Sequence, residues 1–253
     1  MFIDTHAHLT MPEYSDLSEV LTRAREVKVE AVINASFDLK SSQEGLRLAK
    51  DHDFIYAAVG IHPHDANLVD DKMIQELERL ASDPKVVAIG ETGLDYYRNL
   101  QPKETQIAAF RKFLQLAQKL DKPVIIHCRE AQEDIMRVMR EENQGKMRGV
   151  FHCFAGDEKL IQFANDLGFL ISFTGNITFK KANRTRELAK LVPIFQLMIE
   201  TDCPYLAPEP FRGRRNEPAY ITYVAKVLAE IKGITVEELA RSTTKNARKL
   251  FKI

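Results

Sequence analysis

The chain has 253 residues, 45% of them hydrophobic and 28% charged, enough apolar material for a large core and far from a composition that stays disordered. Lys and Arg balance Asp and Glu at 36 each, which excludes a global basic field of the kind that draws proteins to nucleic acid, so any phosphate recognition has to be local. No apolar run approaches the ~20 residues that span a bilayer, and the three cysteines, Cys128, Cys153 and Cys203, show no CxxC spacing, which argues against a membrane span, a disulfide framework and a thiolate metal site.

In chain order, β-branched or apolar runs recur at Phe2 to Thr5, Ala31 to Ala35, Ile55 to Ile61, Val86 to Gly90, Val124 to Ile126, Val150 to Phe151, Phe169 to Phe173 and Leu197 to Ile199, which makes eight candidate strands. Amphipathic stretches of helical period lie between them, at Leu17 to Val27, Lys103 to Leu120 and Glu158 to Leu167 among others. Strict alternation implies a parallel sheet, and near-continuous apolar strands imply burial on both faces. Eight such units are the number that closes a barrel. The predicted fold is therefore α/β, a single (β/α)8 TIM-like barrel over residues 1–253, with an open doubly wound sheet as the alternative. After the eighth strand, Pro218 to Ile231 and Val236 to Phe251 read as two helices separated by Gly233, the second opened by a Thr235/Glu238 capping box. This extra C-terminal helix is expected to close the outer ring. Because the amino terminus reads directly into a strand, with no signal peptide, the expected location is the cytoplasm.

Six of the seven histidines, His6, His8, His62, His64, His127 and His152, fall in or directly after the carboxyl end of a predicted strand. Barrel enzymes carry their chemistry at that face. The two-residue period of a strand turns His6 and His8 to one side, where they can chelate. His127, His152, Glu91 and Asp202 end strands five, six, four and eight. Four imidazoles and two carboxylates supply nitrogen and oxygen ligands that suit zinc, manganese or a related divalent cation, and one bridging carboxylate could serve two ions. Each cysteine follows one of these residues, so alternation should turn all three away from the cavity. His52 follows Asp51 in a polar loop, where a solvated role is expected.

The segments Asp4-Thr5-His6-Ala7-His8, Gly60-Ile61-His62-Pro63-His64, Gly90-Glu91-Thr92-Gly93-Leu94-Asp95 and Glu200-Thr201-Asp202-Cys203-Pro204-Tyr205 resemble the TatD family of metal-dependent hydrolases, as does the stretch Pro210 to Pro218. The resemblance implies a TIM-like barrel, a divalent-metal site and nuclease activity on DNA, including removal of nucleotides from 3' ends. Carried over by position, His6 and His8 would bind one ion with Asp202, Glu91 would bridge, and His127 and His152 would hold the second. Glu91 stands where related amidohydrolases place a carbamylated lysine, which favours a carboxylate bridge.

Two divalent ions, whether zinc, manganese or magnesium, would serve in-line displacement at phosphorus. In that chemistry Asp202 is the expected general base and His62 the donor to a phosphate oxygen or the leaving group. Arg129, just beyond strand five, and Arg212, Arg214 and Arg215, just beyond strand eight, are candidates for bidentate phosphate contact. Tyr96, Tyr97 and Phe154 are candidates for stacking on bases. The expected partner is DNA or another phosphodiester, RNA or a small phosphate ester included, with no obligate protein partner. The alternatives are an amidohydrolase acting on a small amide or ester, and a non-catalytic binding protein stabilised by metal.

Overall fold

Strand and helix alternate without interruption in the computed structural model, which describes residues 1–253. The strands are β1 (Phe2–Ala7), β2 (Val29–Ala35), β3 (Ile55–Val59), β4 (Val86–Asp95), β5 (Val124–Arg129), β6 (Gly149–Phe151), β7 (Leu170–Phe173) and β8 (Leu197–Ile199). All eight pair in parallel with their sequence neighbours, in the order β1 to β8. The ring closes where β1 meets the segment after β8, through a parallel bridge between Ala7 and Cys203 and a 2.8 Å bond from the His8 N–H to the Cys203 carbonyl. The chain thus forms the expected (β/α)8 barrel.

The crossover helices are α1 (Leu17–Glu26), α2 (Leu39–Asp51), α3 (Asp71–Ala81), α4 (Lys103–Lys119), α5 (Gln132–Glu142), α6 (Glu158–Leu167) and α7 (Asn183–Leu191), followed by α8 (Ile221–Lys232) and α9 (Val236–Phe251). Their starts are written locally. The side chains of Asp38, Asp70 and Asp157 each accept from a backbone N–H three residues on, and Thr235 with Glu238 forms the expected capping box. Gly168 and Gly233 end α6 and α8 in the left-handed conformation that costs glycine little. No helix is long and apolar enough to cross a membrane.

Apolar side chains divide into two clusters. The larger lies between the sheet and the helices, while the smaller takes Ile3, Ile33, Ala58, Val87, Ile125, Val150, Leu170 and Met198 from successive strands, together with Ala247, Leu250 and Phe251 of α9. This second cluster fills the barrel beneath the site, since Ile125 and Val150 stand two residues before His127 and His152. It also corrects the expectation for the last helix. Leu239 and Ala240, early in α9, pack in the outer layer, but its last turns fold under the barrel and plug the amino-terminal mouth.

The largest boundary difference is in β4, which the sequence reading ends at Gly90 and which runs to Asp95. Gly90 and Gly93 are there for close approach rather than termination. A methyl group at Gly93, whose φ is 144°, would be driven into the backbone carbonyl oxygen of His127 on β5. Gly93→Ala is therefore expected to lose about 4 kcal/mol through steric overlap and backbone strain, lowering the thermal midpoint on the order of 10 °C. Circular dichroism melts check this; a midpoint within about 2 °C of the parent would show that the β4–β5 approach tolerates a side chain.

Candidate metal centre

The carboxyl ends of β1, β3, β4, β5, β6 and β8 surround a cavity of 840 Å³ whose walls include His8, His62, His64, Glu91, His127, His152 and Asp202. His6, fully buried, lies just behind them. Glu91 is the hub. Its Oε1 is 2.8 Å from His127 Nδ1, 2.8 Å from His152 Nε2 and 3.4 Å from His62 Nε2, while Oε2 is 3.3 Å from His6 Nε2 and 3.7 Å from His8 Nε2. The two oxygens thus face different sets of nitrogens. Asp202 Oδ1 adds to the second set, 3.7 Å from His6 Nε2 and 3.4 Å from His8 Nε2.

Backbone construction explains why these groups meet. Asp202 adopts φ 56° beyond β8, with its N–H bonded to the His6 carbonyl at 2.9 Å. Thr201 before it is held from below by Asp4, whose carboxylate accepts the Thr201 N–H at 2.9 Å and hydroxyl at 2.6 Å. From above, Asn216 Nδ2 donates to the Thr201 carbonyl at 2.8 Å and the Tyr205 carbonyl at 2.6 Å. Burial pushes the Asp4 carboxyl up to about 7.

The donor set fits a divalent cation. His6 Nε2, His8 Nε2, Glu91 Oε2 and Asp202 Oδ1 stand 3.2–3.7 Å apart across the pairs measured, the edge lengths of a polyhedron whose centre is ~2.1 Å from each corner, as in a zinc–nitrogen or zinc–oxygen bond. Further overlapping groups, His6–His152–Asp202 and His62–Glu91–His127, also have ligand atoms within 4.8 Å of one another. The second nitrogen of two rings is already committed: His8 Nδ1 donates to the Ala35 carbonyl at 3.0 Å, and His127 Nε2 lies 3.3 Å from Asp95 Oδ2. Such outer partners leave the opposite nitrogen free to ligate.

The buried carboxylates of the site draw positive charge onto the neighbouring imidazoles. Burial opposes charge on Glu91, yet His152, His62 and the bond from His127 hold its carboxyl well below the usual range. Burial likewise opposes a proton on His152, but Glu91 and Glu200 outweigh it and hold that ring well above its usual value. Asp202 is kept low against burial by its bond with His8 and the nearby His6. His62 differs, because burial pulls it down to about 4 and the ring is neutral at neutral pH. The His64 backbone N–H donates to His62 Nδ1 at 3.2 Å, so the ring proton sits on Nε2, facing Glu91. A ring fixed in that tautomer donates a hydrogen bond into the cavity and is not set up to ligate.

Arg129 lines the cavity and lies 3.8 Å over the Tyr97 ring, but Arg212 and Arg214 are not in the cavity wall. The Arg212 guanidinium stacks on Phe179 at 4.4 Å, and Arg215 pairs with Asp16. Arg98, which the sequence reading passed over, does line the wall. The signal depended on the true end of β4, since Arg98 lies three residues beyond Asp95 and Arg129 is the last residue of β5. Of the three aromatics singled out, only Tyr97 is exposed; Phe154 is buried against Phe173, and the Tyr96 hydroxyl bonds Asp134 at 2.8 Å. Tyr205, half-exposed, and Phe37 are the aromatics of the cavity wall that were missed.

The expectation for the cysteines holds for Cys203, which is buried, and fails for Cys128 and Cys153, which line the cavity. Alternation stops predicting direction at these points. The last three residues of β5 are all part-exposed, and Cys153 lies beyond β6 with φ 42°. Burial pushes the Cys128 thiol up to about 12 and holds Cys153 well above its usual range, so both are neutral thiols at neutral pH. His52 lies at the far end of α2, outside the cavity.

A parallel eight-stranded barrel with histidines and carboxylates converging at its carboxyl mouth defines the class, a metal-dependent hydrolase. Residues 3–252 match the family model for TatD related DNase, and the chain belongs to that family. It is 43% identical, over all of both chains, to a protein of Bacillus subtilis named uncharacterized metal-dependent hydrolase YabD. It is 36% identical to the 3'-5' ssDNA/RNA exonuclease TatD of Erwinia tasmaniensis, over 99% of each chain. The crystal structure of YJJV, a TatD homolog from Escherichia coli, superposes with a TM-score of 0.93 at 30% identity, covering 100% of this chain and 98% of that one.

Proposed function

We propose that this protein is a phosphodiesterase that binds two divalent cations and removes nucleotides from the 3' end of single-stranded DNA. One observation supports phosphorus over carbonyl carbon as the centre attacked. Two arginines, Arg98 and Arg129, line the cavity that holds the Glu91 cluster, and neither side chain is paired with a carboxylate. Guanidiniums left free beside a cation centre suit an anionic, tetrahedral substrate better than a neutral amide. The cavity, at 840 Å³, is within the range of single-ligand pockets. It takes a strand's end more readily than a long tract, in keeping with the exonuclease named for the Erwinia relative.

His6, His8 and Asp202 would hold one cation, His127 and His152 the other, with Glu91 shared between them. Bound divalent cations supply Lewis acidity, neutralising charge that develops on phosphoryl oxygens and making water easier to deprotonate. Asp202 accepts the proton of the attacking water. His62, neutral with its proton on Nε2, donates to a non-bridging oxygen. Arg98 and Arg129 grip the phosphate and fix the scissile bond, and Tyr205 offers a face to the terminal base.

The test is cleavage of 5'- and 3'-labelled single-stranded DNA by metal-stripped protein reloaded separately with magnesium, manganese or zinc. The 5'-labelled strand should shorten in single-nucleotide steps, while the 3' label should leave at once as mononucleotide. Arg98→Ala and Arg129→Ala should each raise KM and flatten its salt dependence by close to one phosphate contact. Protein that takes up two cations and cleaves neither strand would reject the nuclease reading in favour of a small-substrate hydrolase.

A further inference from the structure

Asp95 ends β4 four residues beyond Glu91, fully buried, and one of its oxygens serves two rings. Oδ2 is 3.0 Å from His64 Nε2 and 3.3 Å from His127 Nε2, while Oδ1 accepts the Arg98 backbone N–H at 2.8 Å. The strand end is itself clamped by Gln106, whose Oε1 accepts the Asp95 N–H at 2.8 Å and whose Nε2 donates to the Asp95 carbonyl at 3.2 Å. Gln106 also donates to the Gln101 carbonyl at 2.8 Å, and Gln101 donates to the His64 carbonyl at 3.1 Å. The turn Pro63–Leu68 is thereby tied to β4, and through its His64 N–H it fixes His62 as well.

We infer that Asp95 is a positioning residue that sets the tautomers of His127 and His64 together, so that cation binding at the centre and substrate contact at the mouth rest on one carboxylate. An ionised carboxylate accepts and never donates, so both rings must keep a proton on Nε2. His127 then turns a bare Nδ1 toward Glu91 whenever it ligates. His64 is held against the wall, and the same side chain seats the turn that carries Arg98. Asparagine has the same outline but a single acceptor oxygen. It can satisfy the Arg98 N–H or the two imidazoles, not both.

The inference rests on the proposal that His127 is a cation ligand, and zinc-loaded protein tests the two separately. In wild type, nitrogen-15 spectra of the imidazoles should show His127 and His64 protonated on Nε2. In Asp95→Asn the zinc equivalent whose binding moves the His127 resonances should lose affinity by about 10- to 100-fold, the usual effect of removing an outer-sphere partner. The other equivalent should stay near wild type, the metal-free protein should keep its fold by circular dichroism, and the Nε2 proton of His127 should lose its protection from exchange. A His127 protonated on Nδ1 in zinc-loaded wild type overturns the inference even if no variant folds. So does Asp95→Asn with both affinities and the spectrum unchanged. If neither zinc equivalent moves the His127 resonances of wild type, the ligand assignment itself fails, and the inference falls with it.

Discussion

Glu91→Gln is expected to reduce kcat/KM on DNA by about 10⁴-fold or more, equivalent to ~5 kcal/mol of transition-state stabilisation. The substitution keeps the outline of the side chain but leaves one oxygen where two now face separate sets of nitrogens, Oε1 toward His127 and His152 and Oε2 toward His6 and His8. Whichever way the amide turns, one set meets an NH2 group, which cannot ligate and which points N–H at nitrogens meant to be bare. The buried negative charge is lost as well, and with it much of what draws cations to a cluster of imidazoles. Metal content after desalting should fall from two per chain to one or none, with the fold retained by circular dichroism. Two tightly held cations and more than a tenth of the activity would show that Glu91 does not bridge.

The barrel was legible because alternation of strand and helix survives in single residues, even where strands are as short as Val150–Phe151 and Leu197–Ile199. What sequence could not show was where a strand's local rules lapse. The apolar run stops at Gly90 and the strand does not, because Gly90 and Gly93 are places where β5 comes too near for a side chain. Extending β4 by its two-residue period places Asp95 on the face of Glu91, and that step would have found the second carboxylate. Alternation also misled beyond the strand ends, turning Cys128 and Cys153 the wrong way. Helical period identified α9, yet period does not say that its last turns pass beneath the barrel. Arginines pose the same difficulty: Arg129 ends one ligand-bearing strand and Arg212 comes after another, but Arg212 finds Phe179 and leaves the cavity to Arg98 and Arg129. The residues that hold Asp202 in place, Asp4 and Asn216, lie far apart in the chain, inside segments that carry the resemblance, but no spacing says that both meet at Thr201.

Asp202→Asn separates two roles that the wild-type residue combines. As a ligand, an asparagine oxygen is a weaker substitute for a carboxylate, and the loss shows as lowered cation affinity that excess metal restores. As a base, an amide accepts no proton at neutral pH, and no concentration of metal restores that. Its carboxyl is held low by His8 and His6 against its burial, so in wild type it is ionised and ready to accept at neutral pH. The bond from its N–H to the His6 carbonyl and the clamp on Thr201 by Asp4 and Asn216 do not involve the side chain, so the backbone should remain where it is. With metal raised to saturation, kcat is therefore expected to remain about 10³- to 10⁴-fold below wild type, a loss of ~4 to 5 kcal/mol, while KM changes little. Single-turnover rates across a manganese titration measure this directly. Recovery to within tenfold of wild type at high manganese would assign Asp202 to ligation alone and move the proton to another acceptor in the cavity.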